Sequence, residues 1–311
     1  MKLLFLGAGA TGGYFGGRLA KADVDVTFLV RPKRRDQIAR DGLKIESPLG
    51  NLTTPVKALT REEISGTYDA IIVSAKAYDL DGAIDAIRPA VGERSLVLPL
   101  LNGMKHLDAL DAAFGPARVL GGLTHISVTL TDDGTIRQFG QLSTLTLGAR
   151  FAKQKASAAK LHETLSKGID ALCPKDIIAA MWEKWFFLAT FASATCLMRA
   201  PVRDIVGAPR GAEFMNKLLD ECIAISTANG YPPQAASIDF ARAFLTDPAS
   251  TLSASMLRDI HRGGQIEADQ IVGDMIRRGH EKAVATTLLD TAYLHLLAYQ
   301  NQRAAAEAPK S

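Results

Sequence analysis

The residues Leu3-Leu4-Phe5-Leu6 run straight into Gly7-Ala8-Gly9-Ala10-Thr11-Gly12, and no other stretch of the chain constrains its fold as much. The first four residues read as a buried strand, and Ala10 to Ala20 as a helix. A glycine-rich corner between strand and helix is the phosphate-binding turn of a dinucleotide fold. Gly7 permits the tight turn out of the strand, Gly9 lets the backbone approach a pyrophosphate, and Gly12 lets the helix pack close to the sheet. The opening turn of the helix then presents free N–H groups and a positive dipole end. Gly7, Ala8, Gly9, Ala10, Thr11 and Gly12 are therefore candidate cofactor-binding residues.

The end of the second strand selects the dinucleotide. An NAD site carries Asp or Glu there for the ribose 2′-hydroxyl. Here the strand Val24 to Val30 ends in Arg31, followed by Lys33, Arg34 and Arg35. A carboxylate would repel a 2′-phosphate, whereas Arg31 can fork onto it, so NADP(H) is the expected cofactor. Arg34 and Arg35 read better as a solvated basic helix start.

The first half continues to alternate strands and helices, the signature of a doubly wound parallel sheet. Strands are expected over Asp69 to Ser74 and Leu96 to Leu101, and helices over Lys33 to Arg40, Leu80 to Ala90 and Met104 to Phe114. Leu43 to Leu59 reads as a hairpin insertion, and Thr124 to Leu147 as strands broken by the turn Thr131-Asp132-Asp133-Gly134. After Pro174 the strand pattern stops. Asp176–Met198, Arg210–Asn229, Ser237–Leu245, Ile266–Arg278 and Ala285–Arg303 all read as helices, and the tail Ala304 to Ser311 as a frayed end. The expected division is a Rossmann-type cofactor domain over residues 1–172 and an all-helical second domain over residues 173–311.

Composition excludes several classes. A net charge of +3 is too small for a nucleic-acid surface. No apolar run reaches the length of a membrane span, and the N-terminus lacks a secretory pattern, so a soluble reducing compartment, the cytoplasm, is expected. Cys173, Cys196 and Cys222 form no CxxC pair and read as buried apolar residues. The six histidines show no metal-ligand spacing.

These motifs, with Lys76 in Ser74-Ala75-Lys76-Ala77, Leu101-Asn102-Gly103-Met104, Trp182-Glu183-Lys184, Ser255-Met256-Leu257-Arg258-Asp259 and Glu267-Ala268-Asp269 before Gly273, occur in an order that resembles the ketopantoate reductase (2-dehydropantoate 2-reductase) family over nearly the whole chain. The resemblance implies a Rossmann domain joined to a helical domain of the 6-phosphogluconate-dehydrogenase type. It also implies reduction of a 2-oxo acid, ketopantoate by default, with NADPH. It makes Lys184 the catalytic acid, Glu267 its partner and substrate ligand, Asn102 and Ser255 substrate-binding residues, and Lys76 and Asn102 neighbours of the cofactor. Without the resemblance, Lys184 also fits a snorkelling lysine, Glu267 a helix-dipole partner, Ser255 an N-cap and Asn102-Gly103 a turn. The chain departs from the family where asparagines follow the lysine by four and eight residues: Leu188 and Ala192 stand there. A family paralogue acting on another 2-oxo acid, and a non-catalytic NADP(H) sensor, stay open as alternatives. A homodimer formed through apolar helix faces such as Ala285 to Tyr299 and a monomer are equally compatible with the sequence.

Overall fold

A computed structural model of the chain describes residues 1–307. Two compact units make it up: Met1–Leu101 with His106–Ile178, and Asn102–Lys105 with the chain from Ala179 on.

The first unit is built on a parallel sheet. Strands β1 (Leu3–Leu6), β2 (Val26–Leu29), β3 (Leu43–Glu46), β4 (Leu52–Thr54), β5 (Lys57–Leu59), β6 (Tyr68–Val73) and β7 (Val91–Pro99) alternate with helices α1 (Ala10–Lys21), α2 (Pro32–Asp41) and α3 (Leu80–Ile87). Five strands pair in the order β5-β2-β1-β6-β7, all parallel. β1 sits at the centre, and Leu3, Leu4 and Phe5 are fully buried, as a strand covered on both faces requires. The doubly wound sheet expected from the sequence is present.

After α4 (His106–Phe114) the chain forms β8 (Gly121–Leu130), β9 (Ile136–Gly148), α5 (Lys155–Leu165) and β10 (Asp170–Leu172). The 43–59 stretch is not one hairpin insertion. β3 and β4 do form an antiparallel hairpin, but β5 leaves it to join the parallel sheet beside β2. The hairpin is instead enrolled in a second sheet, where β3 and β10 flank β9 in parallel and β8 pairs with β9 antiparallel. Phe5, Phe15, Phe28, Leu43, Ile45 and Leu145 share one core. Each such side chain contributes about 1.5–3 kcal/mol by leaving water.

The second unit is helical: the greater part of α6 (Ile177–Met198), then α7 (Val202–Val206), α8 (Gly211–Ala228), α9 (Ala235–Leu245), α10 (Ser255–His261), α11 (Asp274–His280) and α12 (Thr287–Glu307). Trp185, Phe186, Met215, Leu218, Cys222, Leu289 and Leu296 form its interior. The helix expected from Ile266 begins later. Residues 269–273 form a π-turn, closed by a bond from the Asp274 N–H to the Asp269 carbonyl five residues back, and only then does α11 follow. α12 continues through Ala304 to Glu307, so the expected fraying does not begin at Ala304; the rest of that tail lies outside the described residues. Cys196 and Cys222 are buried, whereas Cys173 is exposed, which corrects its assignment to a core. No helix among the described residues is long and apolar enough to cross a membrane.

Candidate functional site

The glycine corner has the geometry that its residue types demand. Gly7 adopts φ +91°, a left-handed conformation that glycine takes without a Cβ penalty. Gly12 is where α1 meets the sheet. A Cβ there would lie 2.7 Å from the Gly7 carbonyl oxygen and overlap the Ser74 side chain. Ser74, just past β6, fills that space and donates from Oγ to the Leu6 carbonyl at 2.9 Å. Gly9 is the N-cap of α1, has no side chain to occupy the first-turn N–H groups, and is open on its Cβ side. α1 also carries no acidic residue in its first turn. A pyrophosphate therefore fits this corner on backbone geometry and dipole alone.

Two arginines flank the corner in different ways. Arg31 is 89% exposed, with only a 3.9 Å approach to Asp79, itself more than half exposed, so its guanidinium can swing to a ligand. Arg34 is not the solvated residue expected from the sequence. Its Nε and Nη2 donate to the Ala8 carbonyl at 3.2 and 3.0 Å, and its Nη1 donates to the Gly134 carbonyl at 2.9 Å and to Gln37. It pins the phosphate corner to the β8–β9 turn, and burial pulls its pKa down from the ordinary arginine value. Position 34 lies one helical turn beyond Arg31, so the residue type was visible but its carbonyl partners were not. Lys76 is the N-cap of a single 3₁₀ turn after β6, and its carbonyl accepts from the Asp79 N–H at 2.9 Å.

The second unit assembles Lys184, Asn102, Glu267 and Gln270. α6 carries Lys184 in a stretch whose members Trp182, Trp185 and Phe186 are all buried, and the lysine itself is half-buried. Its Nζ donates to Asn102 Oδ1 at 2.9 Å. Burial takes the Lys184 pKa down from the usual lysine range to about 8, and the charge of Glu267 acts in the opposite direction. Glu267 is 8% exposed and directly precedes the helical turn that leads into residues 269–273. The Asn102 carbonyl accepts from Gln270 Nε2 at 2.7 Å. The sequence marks Gln270 only weakly, as one amide in the otherwise apolar Ala268 to Val272 run, interrupted by Asp269. Asn102 opens the short segment that belongs with this unit although it follows Leu101 of the other. Ser255 is exposed as the first residue of α10, whose N-cap is Ala254, so it does not serve as the cap.

Comparison with known proteins places the chain in a family. Residues 3–150 match the family described as ketopantoate reductase PanE/ApbA, and residues 176–300 match its C-terminal counterpart. The uncharacterized oxidoreductase YkpB of Bacillus subtilis is 32% identical over 305 residues, covering 97% of this chain and 100% of its own. The crystal structure of 2-dehydropantoate 2-reductase from Geobacter metallireducens is 26% identical, with a TM-score of 0.87, over 96% of this chain and 99% of that one. D-Mandelate dehydrogenase, solved with NADH and anilino(oxo)acetate, shares the fold with a TM-score of 0.87 at 22% identity, over 98% of this chain and 100% of that one. Matched over most of its length by both halves of one family description, the chain belongs to the ketopantoate reductase family of nicotinamide-dependent oxidoreductases.

Proposed function

We propose that the chain reduces a 2-oxo acid to a 2-hydroxy acid with NADPH, with residues 1–172 as the cofactor domain and residues 173–311 as the substrate domain, and with ketopantoate as the first substrate to try. The observation that carries this reading is Lys184: an ammonium held in an apolar helix, bonded to Asn102, and tuned between burial and the charge of Glu267. When bound, the reduced nicotinamide supplies a hydride to the carbonyl carbon. Negative charge then grows on the carbonyl oxygen, and the Lys184 ammonium stabilises it and gives it a proton. Lys184 is left neutral and recovers its proton from solvent. Asn102 Oδ1 occupies one N–H of the ammonium and so directs the others. Glu267 keeps the lysine charged before the reaction and accepts a substrate hydroxyl. In this reading Ser255 binds the substrate carboxylate and Lys76 lies beside the cofactor. A pure NADP(H) sensor would have no use for a half-buried lysine within electrostatic reach of a buried carboxylate.

One observation favours a second substrate over ketopantoate. Leu188 and Ala192 follow Lys184 by one and two helical turns and offer no hydrogen bond from their side chains. Thr190 and Thr195 nearby donate to the carbonyls of Phe186 and Phe191 on their own helix. This face of α6 suits an apolar 2-oxo acid better than a hydroxylated one. NADPH oxidation followed at 340 nm with ketopantoate, beside 2-oxo acids bearing aliphatic or aromatic side chains, separates the two. Turnover of none of them, with NADPH still bound, contradicts the reductase reading.

Arg31 sets the choice of dinucleotide. Arg31→Asp is expected to shift the NADPH-to-NADH ratio of kcat/KM by about 10- to 100-fold toward NADH, the worth of charge-assisted hydrogen bonds lost from a phosphate. An unchanged ratio would mean that another residue holds the 2′-phosphate.

A further inference from the structure

We propose, resting on the reading of Lys184 as proton donor, that the π-turn at Asp269–Gly273 positions the Lys184–Asn102 pair, and that Gln270 is its positioning residue. Consecutive residues of the turn are tied to the two halves of that pair. The Ile271 carbonyl accepts from Trp185 Nε1 at 2.9 Å, and Trp185 is the neighbour of Lys184 in α6. Gln270 Nε2 donates to the Asn102 carbonyl at 2.7 Å. The turn thus bridges the helix that carries the ammonium and the segment that carries its acceptor.

The bridge is built for close approach. Gly103 adopts φ +74°, and a Cβ there would lie 2.5 Å from the Gln270 carbonyl oxygen, so only glycine lets this backbone come so near. The far end of the segment is held as well. Lys105 is ion-paired with Asp269, the first residue of the turn, and Tyr293 donates from its hydroxyl to the other Asp269 oxygen at 3.1 Å. Residues 102–105 are therefore fastened at both ends to one five-residue turn. A π-turn inserts one residue into the helical register, which places neighbouring side chains and carbonyls where a regular helix cannot; such turns recur at functional sites. The consequence falls on Lys184. Its ammonium keeps one N–H on Asn102 only while Gln270 holds the Asn102 backbone, and a displacement of about 1 Å in a reacting group can cost on the order of 100-fold in rate.

The test is Gln270→Met, which keeps length and burial but cannot donate, with Gln270→Leu as the second variant if the first does not fold. The expected result is a fall in kcat of about tenfold or more, with NADPH affinity and Tm close to the parent. Added to Asn102→Ala, the substitution should cause no further loss, because residues acting through one contact are not additive. A second readout needs no turnover. In lysine-labelled protein without substrate, the Lys184 Nζ resonance should move in Gln270→Met and in Asn102→Ala alike. A parent-like kcat, a full additional loss on the Asn102→Ala background, or an unmoved Lys184 resonance would overturn the proposal. If the parent turns over no 2-oxo acid, the reductase reading fails on its own and the resonance alone decides the positioning role.

Discussion

Replacing Lys184 by Ala is expected to lower kcat by about 10²–10⁴-fold, the range a positioned general acid contributes, while NADPH affinity changes little. Steady-state kinetics beside a fluorescence titration of NADPH would show the split; a variant with parent-like kcat removes Lys184 from the mechanism. The pH profile carries the same claim with a sign. Reduction uses the ammonium form, and burial has brought the Lys184 pKa down to about 8. The rate should therefore be level below that pH and fall as pH rises through it. Glu267 pulls the pKa upward, so Glu267→Gln should move the fall to lower pH. A fall that stays in place, or moves upward, would show that Glu267 does not act on the donor.

Gly12→Val is expected to be the most damaging single change in the first unit. Its Cβ would meet the Gly7 carbonyl 2.7 Å away and the Ser74 side chain, and the nearer backbone belongs to the phosphate corner itself. Overpacking of this kind costs about 1–3 kcal/mol when the core can shift. Here the shift would push Gly7 out of the conformation that turns the chain toward the phosphates. Loss of measurable NADPH binding together with a lower urea midpoint is the expected outcome. Parent-like binding would mean that the close helix–strand contact is not what shapes the corner.

These two predictions differ in how far the sequence alone foretells them. The strand, the glycine corner and α1 are legible because each requirement is local: a tight turn, an open backbone, a close contact, all within ten residues. The parallel sheet follows from alternating strands and helices, and the helical second half from the loss of the strand pattern after Pro174. The second sheet is not legible, since β3 pairs in parallel with β9, Ile45 opposite Ile136 and Glu46 opposite Arg137, across most of the first unit's length. Arg34 and Gln270 are hidden for the same reason. Their acceptors are backbone carbonyls at Ala8 and Asn102, and every residue offers a carbonyl, so nothing in composition marks the chosen one. The regular helix expected from Ile266 is interrupted because the π-turn at residues 269–273 inserts a residue into the helical period. Lys184 stood out because a charge inside so apolar a helix conflicts with its surroundings, and such local conflicts concentrate at functional sites.

The central claim is that hydride passes from NADPH to the carbonyl carbon of a 2-oxo acid while Lys184 protonates the oxygen. The most direct measurement supplies NADPH deuterated at the nicotinamide C4, on each face in turn, with ketopantoate and with apolar 2-oxo acids, and reads the products by mass spectrometry. The expected result is a 2-hydroxy acid carrying one deuterium at C2 from one face only, formed by the parent and reduced by the Lys184→Ala change to a small fraction of that amount. Absence of deuterated hydroxy acid from every substrate, with NADPH bound throughout, would contradict it.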